Sequence, residues 1–150
     1  MRQFARVWLL VVLVSTIGVA QTTDDAVVVP GVRCGRFILG RTRENEIESI
    51  RDKKAGIDFQ FTQDHLLKGV VVTTSDFRTD RQIRVGDSEE DVLRAYGKGK
   101  TGNIDLTKGT TADGRPVVVG KVGDKVLFYP GIEFVFSKQR VWAIILVPKS

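Results

Sequence analysis

One seven-residue pattern occurs twice in this chain and dictates much of what it can fold into. Gly56-Ile57-Asp58-Phe59-Gln60-Phe61-Thr62 and Gly131-Ile132-Glu133-Phe134-Val135-Phe136-Ser137 are identical at four of seven positions. In both, large apolar side chains recur at every second residue, the period of a half-buried strand. Each strand then passes through polar residues, Gln63 to His65 or Lys138 to Arg140, into a second apolar run, Leu66 to Thr74 or Val141 to Val147. A short polar connection between two such runs predicts an antiparallel hairpin, here twice.

A second pair of segments precedes the hairpins. Leu39-Gly40-Arg41-Thr42-Arg43-Glu44-Asn45-Glu46-Ile47-Glu48-Ser49-Ile50 lines up with Val85-Gly86-Asp87-Ser88-Glu89-Glu90-Asp91-Val92-Leu93-Arg94-Ala95-Tyr96. Both read as aliphatic, glycine, any residue, hydroxyl, then helix. Thr42 and Ser88 stand as N-caps, with Asn45 or Asp91 three residues on and acids in the first turn. Val92, Leu93 and Tyr96 give the second helix an apolar face and Gly97 ends it, whereas Ile47 and Ile50 alone form the stripe of the first.

The helical segments lie 46 residues apart and the strands 75, so the second half carries an insertion of 29 residues. Turn residues at Thr110 to Gly114 and at Gly123-Asp124, around Val117-Val118-Val119 and Val126-Leu127-Phe128-Tyr129, make that insertion a further hairpin. The expected architecture is α+β: two tandem helix-plus-antiparallel-hairpin repeats, about residues 35–75 and 81–147. They form a sheet with helices on one face, the second repeat is enlarged by the inserted hairpin, and the other face is left to solvent or a partner.

The start of the chain reads as an address. Arg2 and Arg6 precede an apolar run from Val7 to Val14, followed by the small residues Gly18, Val19 and Ala20. This is the pattern of a secretory signal peptide, with cleavage expected after Ala20 and residues 21–150 left as a single domain in the periplasm or outside the cell. Even extended to Ala20 the run falls short of the roughly 20 apolar residues that span a bilayer. No transmembrane span is expected after cleavage.

Composition narrows the chemistry. One cysteine and one histidine exclude an intramolecular disulfide, zinc-finger spacing, Cys-x-x-Cys redox chemistry and a multi-histidine metal site. The net charge of +5 falls to +3 once residues 1–20, with two arginines and no acid, are removed. Acids are scattered among the arginines, so no nucleic-acid partner is expected.

The run Val-Gly-Asp-Ser-Glu-Glu-Asp-Val-Leu-Arg-Ala-Tyr-Gly at 85–97, followed by Tyr129-Pro130-Gly131-Ile132-Glu133-Phe134-Val135-Phe136 and an aliphatic last strand, resembles bacterial envelope proteins with beta-lactamase-inhibitor-protein-like repeats. It is also similar to the SmpA/OmlA, BamE-like repeat. The resemblance covers most of residues 30–147 and is carried by structural glycines, caps and core positions. It implies an exported, non-catalytic, protein-binding module. This chain carries the repeat twice and has no lipoprotein cysteine.

Chemistry-bearing motifs are few. Gly97-Lys98-Gly99-Lys100-Thr101 ends like a phosphate-binding loop, but Arg94 stands where the motif needs glycine and a helix precedes it instead of a strand; it reads as a loop. His65 beside Asp64 has the residue types of a Ser-His-Asp triad, but adjacent turn residues point apart and there is no nucleophile elbow, so it reads as a surface turn histidine. Cys34 between Arg33 and Arg36 is either a reactive thiol or, the favoured reading, a small apolar residue. Glu89, Glu90 and Asp91 are explained by the dipole of the helix they open. No catalytic residue, cofactor or metal site is assigned.

Partner contacts are expected instead at Tyr129, Val135 and Trp142. Tyr129 and Trp142 are amphipathic aromatics of the kind that anchor interfaces, although sheets favour them in cores as well. Val135 replaces Gln60 of the other copy, opposite Phe134 and Phe136, and predicts an apolar patch on the second sheet face. The expected function is an exported, non-catalytic binding or scaffold module recognising an envelope or secreted protein through that face. The alternatives are a binder of a small ligand or anionic wall polymer using Arg78 to Arg84, and less so a hydrolase using His65.

Overall fold

A computed structural model describes residues 24–51, 56–103 and 124–149. The signal peptide read at residues 1–20 and the strand read at Val117 to Val119, with its turn at Thr110 to Gly114, lie outside the described residues. A 3-10 turn at Asp24–Ala26 leads into β1 (Val27–Val29), β2 (Arg33–Cys34), β3 (Phe37–Ile38) and α1 (Glu44–Arg51). Then come β4 (Ile57–Phe61), β5 (Leu67–Val72), β6 (Arg78–Thr79), α2 (Glu89–Tyr96), β7 (Lys100–Asn103), β8 (Lys125–Tyr129), β9 (Ile132–Ser137) and β10 (Arg140–Leu146).

The class is α+β, mostly strands with few helices, in two sheets. The larger has the order β4-β5-β10-β9-β8-β7, antiparallel throughout. The smaller, β3-β2-β1-β6, is parallel only between β1 and β6. This corrects the expectation of a single sheet. Strands of two or three residues are too short to show alternation, and β1 is a run of three valines halted by Pro30.

The period-two reading gives the side chains of the long strands that enter the main core, although β5 and β9 bury their other face as well. Ile57 and Phe59 of β4, and Ile132, Phe134 and Phe136 of β9, enter one core with Val70, Val72, Leu127, Ile144 and Leu146. Ile47 of α1 and Val92 of α2 are fully buried in the same core, and Val28, Cys34, Phe77 and Ile83 from the region of the smaller sheet are buried there too. An eight-residue helix is marginal in water. Burying one aliphatic side chain contributes about 1.5–3 kcal/mol, against tenths for propensity, so docking is what holds both helices.

Each helix start is tied to the turn of its hairpin. Glu44 N–H donates to the His65 carbonyl (3.0 Å) and Leu67 N–H to the Thr42 carbonyl (2.8 Å). In the second half Glu89 N–H donates to the Gln139 carbonyl (3.1 Å) and Val141 N–H to the Asp87 carbonyl (2.8 Å). Backbone donors that a helix leaves unpaired are thereby satisfied.

Ser88 caps α2 as expected: its hydroxyl accepts from Asp91 N–H (3.1 Å) and Asp91 Oδ2 accepts from Ser88 N–H (3.2 Å), a full capping box. The Ser88 hydrogen bonds hold the Asp91 carboxyl below its usual value. Ser88→Ala is expected to cost about 1 kcal/mol in urea unfolding, with α2 amides near Asp91 losing hydrogen-exchange protection. Thr42, by contrast, does not cap α1. Its hydroxyl accepts from Ile38 N–H (2.8 Å), and the cap position falls to Arg43, whose N–H is taken by Glu46 (3.0 Å). Leu93 is also displaced from the expected apolar face and is exposed, because the buried side of α2 runs through Val92 and Tyr96.

Two further expectations change. Lys100 and Thr101, read as the end of a loop from Gly97, belong with Gly102 and Asn103 to a strand that pairs with β8; the threonine, two polar residues and glycine in it carry no hydrophobic period. The sheet face opposite the helices is not an exposed apolar patch: Val71, Val135 and Ala143 form a second buried cluster with Ile145 packed against it.

Candidate functional site

The three residues singled out as partner contacts are not brought together. Val135 is 0% exposed within the second cluster, which corrects the apolar-patch expectation; the alternation gave its face but not what covers it. Trp142 is 36% exposed at the bulge of β10, between Val141 and Ala143. Tyr129 faces the other way, toward the main core, half-buried against Tyr96 and Phe134.

Tyr129 does line a cleft, one furnished with both aromatic and charged side chains. Two turns build it. Val29-Pro30-Gly31-Val32 joins β1 to β2, and Tyr129-Pro130-Gly131-Ile132 joins β8 to β9. Each has proline second and, third, glycine at positive φ, +69° at Gly31 and +80° at Gly131, as a type II turn requires. The turns touch backbone to backbone: Gly31 N–H donates to the Gly131 carbonyl (2.9 Å), which also accepts from Val147 N–H (3.2 Å). A cleft of about 290 Å³ opens beside this contact, lined by Val29, Pro30, Asp80, Arg81, Tyr96, Tyr129, Pro130 and Lys149.

Its polar groups come from separate segments. The Arg81 guanidinium lies 4.7 Å from the centroid of the Tyr96 ring and donates through Nη1 to the Ala95 carbonyl (2.9 Å) at the end of α2. The Tyr96 hydroxyl donates to Asp80 Oδ1 (3.2 Å). The Tyr129 hydroxyl donates to the Gly97 carbonyl (2.8 Å), so α2 is pinned at its C-terminal end from both sides. The Lys149 stem crosses Gly31 where any Cβ would come within 2.4 Å of it. The two rings meet at 5.2 Å and both approach Phe134 from above the core, at 5.1 and 5.9 Å.

Burial is the largest cause pushing the Tyr96 phenol up to about 12, with Thr79 opposing and the Asp80 charge adding. Burial, and after it the Glu89 charge, also raises Tyr129. These are the chain's two tyrosines, so tyrosinate absorbance reads the cleft directly. Folded values above the unfolded value of about 10 mean stability is fully present below pH 10 and is lost as pH rises toward 12. Spectrophotometric titration is expected to show a phenol ionising near pH 12 that disappears in Tyr96→Phe.

The other expected chemistry falls elsewhere. His65 is exposed, and its Nδ1 lies 2.8 Å from Glu44 Oε2 rather than beside Asp64. The two line a shallow recess with Arg43 and Asn45. In water an exposed pair of this kind is screened and contributes little. Cys34 is buried in the main core. Among the described residues no group of three His, Cys, Asp or Glu side chains could hold a metal ion, and no helix is long and apolar enough to cross a membrane.

The sequence reading missed Tyr96, Asp80 and Lys149 as site residues. The repeated Pro-Gly at 30–31 and 130–131 was the signal available for the turns; that the turns meet is a tertiary fact. No family model, curated protein or solved structure matches the chain, and the functional reading therefore stands on the chemistry of the cleft.

Proposed function

We propose that this chain is an exported, non-catalytic binding module of the bacterial cell envelope that holds its ligand in the cleft between the two sheets. The observation that carries the reading is the convergence of two tyrosine rings, two prolines, two cations and one carboxylate from five separate segments onto one recess. Binding sites are concave and largely apolar, with a few placed polar groups. The signal-like residues 1–20 support export. The mirrored hydrogen bonds from helix starts to hairpin turns support reading the two halves as tandem repeats.

The test is a thermal-shift panel covering neutral sugars, sugar acids, amino acids, aromatic acids and phosphate. A ligand at 100 times its dissociation constant stabilises by about 2.7 kcal/mol. At least one class is expected to raise the melting temperature of the wild type and not that of the Arg81→Gln/Lys149→Gln double variant. A panel without such a class contradicts the reading.

A second reading, a protein partner on the larger sheet, is favoured by Trp142, a large aromatic exposed on a central strand. Trp142→Ala is expected to lower the melting temperature modestly, because most of the ring is buried against the sheet, while the chain still folds. An envelope protein retained by the wild type and the double variant but lost with Trp142→Ala would move the function to that face. Val135→Asp is no test of it, because a charge at a fully buried site unfolds the sheet.

A further inference from the structure

The make-up of the cleft selects a class of ligand, and this inference rests on the cleft being the binding site. Its volume, about 290 Å³, is at the lower end of small-molecule sites and suits a single substituted ring. The lining is mixed: the Tyr96 ring is covered by Arg81 and packed on Tyr129 and Phe134, which leaves Pro30 and Pro130 as the flat apolar surface open to the C–H face of such a ring. Arg81 and Lys149 outnumber Asp80, so the lining favours an anionic group. Arg81 spends one of its nitrogens on the Ala95 carbonyl, which leaves the rest of a planar fork that matches a carboxylate.

Asp80 narrows the choice. It accepts the Tyr96 hydroxyl at one oxygen and, as an acceptor-only group, retains lone pairs for other donors. A bare carboxylate, which has no donor of its own, meets repulsion there, and inorganic phosphate has no ring to cover the prolines. A ligand carrying both an anionic group and hydroxyl donors satisfies the cations and the acid together. We infer that the cleft binds a carboxylated sugar ring of the uronic acid type. Its carboxylate lies toward Arg81 and Lys149, a hydroxyl donates to Asp80, and one ring face rests on the two prolines.

The experiment is calorimetric titration of the exported protein with D-glucuronate, D-glucose and inorganic phosphate. Glucuronate is expected to bind saturably, glucose and phosphate at least about tenfold more weakly, the loss of one charged hydrogen bond corresponding to that factor. Arg81→Gln and Lys149→Gln, both at exposed positions, are each expected to lose about tenfold for glucuronate with little change for glucose. Arg81→Lys, which keeps charge without the fork, is expected to fall between the wild type and Arg81→Gln. Equal binding of glucose overturns the carboxylate requirement, and equal binding of phosphate overturns the sugar ring. If none of the three binds while the thermal-shift panel gives a cleft-dependent hit of another class, this inference fails and the proposed function stands. If the panel is also empty, both fail.

Discussion

Gly131→Ala is expected to destabilise the protein by roughly 3 kcal/mol, a loss of roughly 10 °C in melting temperature. Two costs combine. The backbone at Gly131 has φ +80°, which a residue with a side chain adopts at a cost of about 1–3 kcal/mol. The new Cβ would stand 2.5 Å from Gly31 N and 2.8 Å from the Pro30 carbonyl carbon. Neither is a flexible side-chain end, so relief requires the two turns to part. That breaks the Gly31 to Gly131 hydrogen bond and widens the cleft, so ligand stabilisation is expected to be lost as well. The melting curve measures the first effect, and the thermal shift with any cleft ligand measures the second. A variant as stable as the wild type would mean that the smaller sheet is not docked on the larger one at this point.

Phe134→Ala is expected to cost about 3–5 kcal/mol in equilibrium urea unfolding, the range for deleting a buried aromatic ring. Phe134 is 0% exposed in the centre of β9, paired with Ile144 on one side and Leu127 on the other. It is also the ring on which both tyrosines rest. Its removal is expected to loosen Tyr96 and Tyr129, so the late phenol ionisation near pH 12 should move toward the ordinary value. Phe134→Leu refills much of the volume and should cost markedly less. Equal losses from the two substitutions would mean that packing at this position is not what holds the rings.

The long elements were legible in the sequence because the side chains they send into the main core recur with a simple period. β4 and β9 alternate, and their partners β5 and β10 follow after short polar turns, so both hairpins could be read. The Ser88 cap and the Gly97 stop of α2 were legible for the same reason, being local chemistry within a few residues. What failed was set by contacts distant in sequence. The smaller sheet joins residues 27–38 to residues 78–79 through strands too short for a pattern. Val135 sits on the face its alternation gives, but the burial of that face depends on what packs over it. Thr42 looked like a cap from its place before acids, yet its hydroxyl is taken by Ile38 N–H and Arg43 holds the cap position.

The candidate site was legible only in fragments. Tyr129 was identified as an aromatic contact residue and Arg81 as part of an arginine-rich segment, and both line the cleft. Their meeting depends on the contact between the two Pro-Gly turns, 100 residues apart along the chain. No window of local sequence contains that contact. Lys149 has no neighbour in sequence that hints at a role, and reaches the site only because β10 ends beside the same turns.

The most direct test of the account is nuclear magnetic resonance of protein carrying ring-labelled tyrosine, titrated with the strongest ligand from the thermal-shift panel. The chain has two tyrosines, and both line the cleft. Saturable shifts of both ring signals, with matching affinities and abolished in the Arg81→Gln/Lys149→Gln variant, are the result predicted. A ligand that binds with both ring signals unmoved would place the binding site elsewhere and contradict the account.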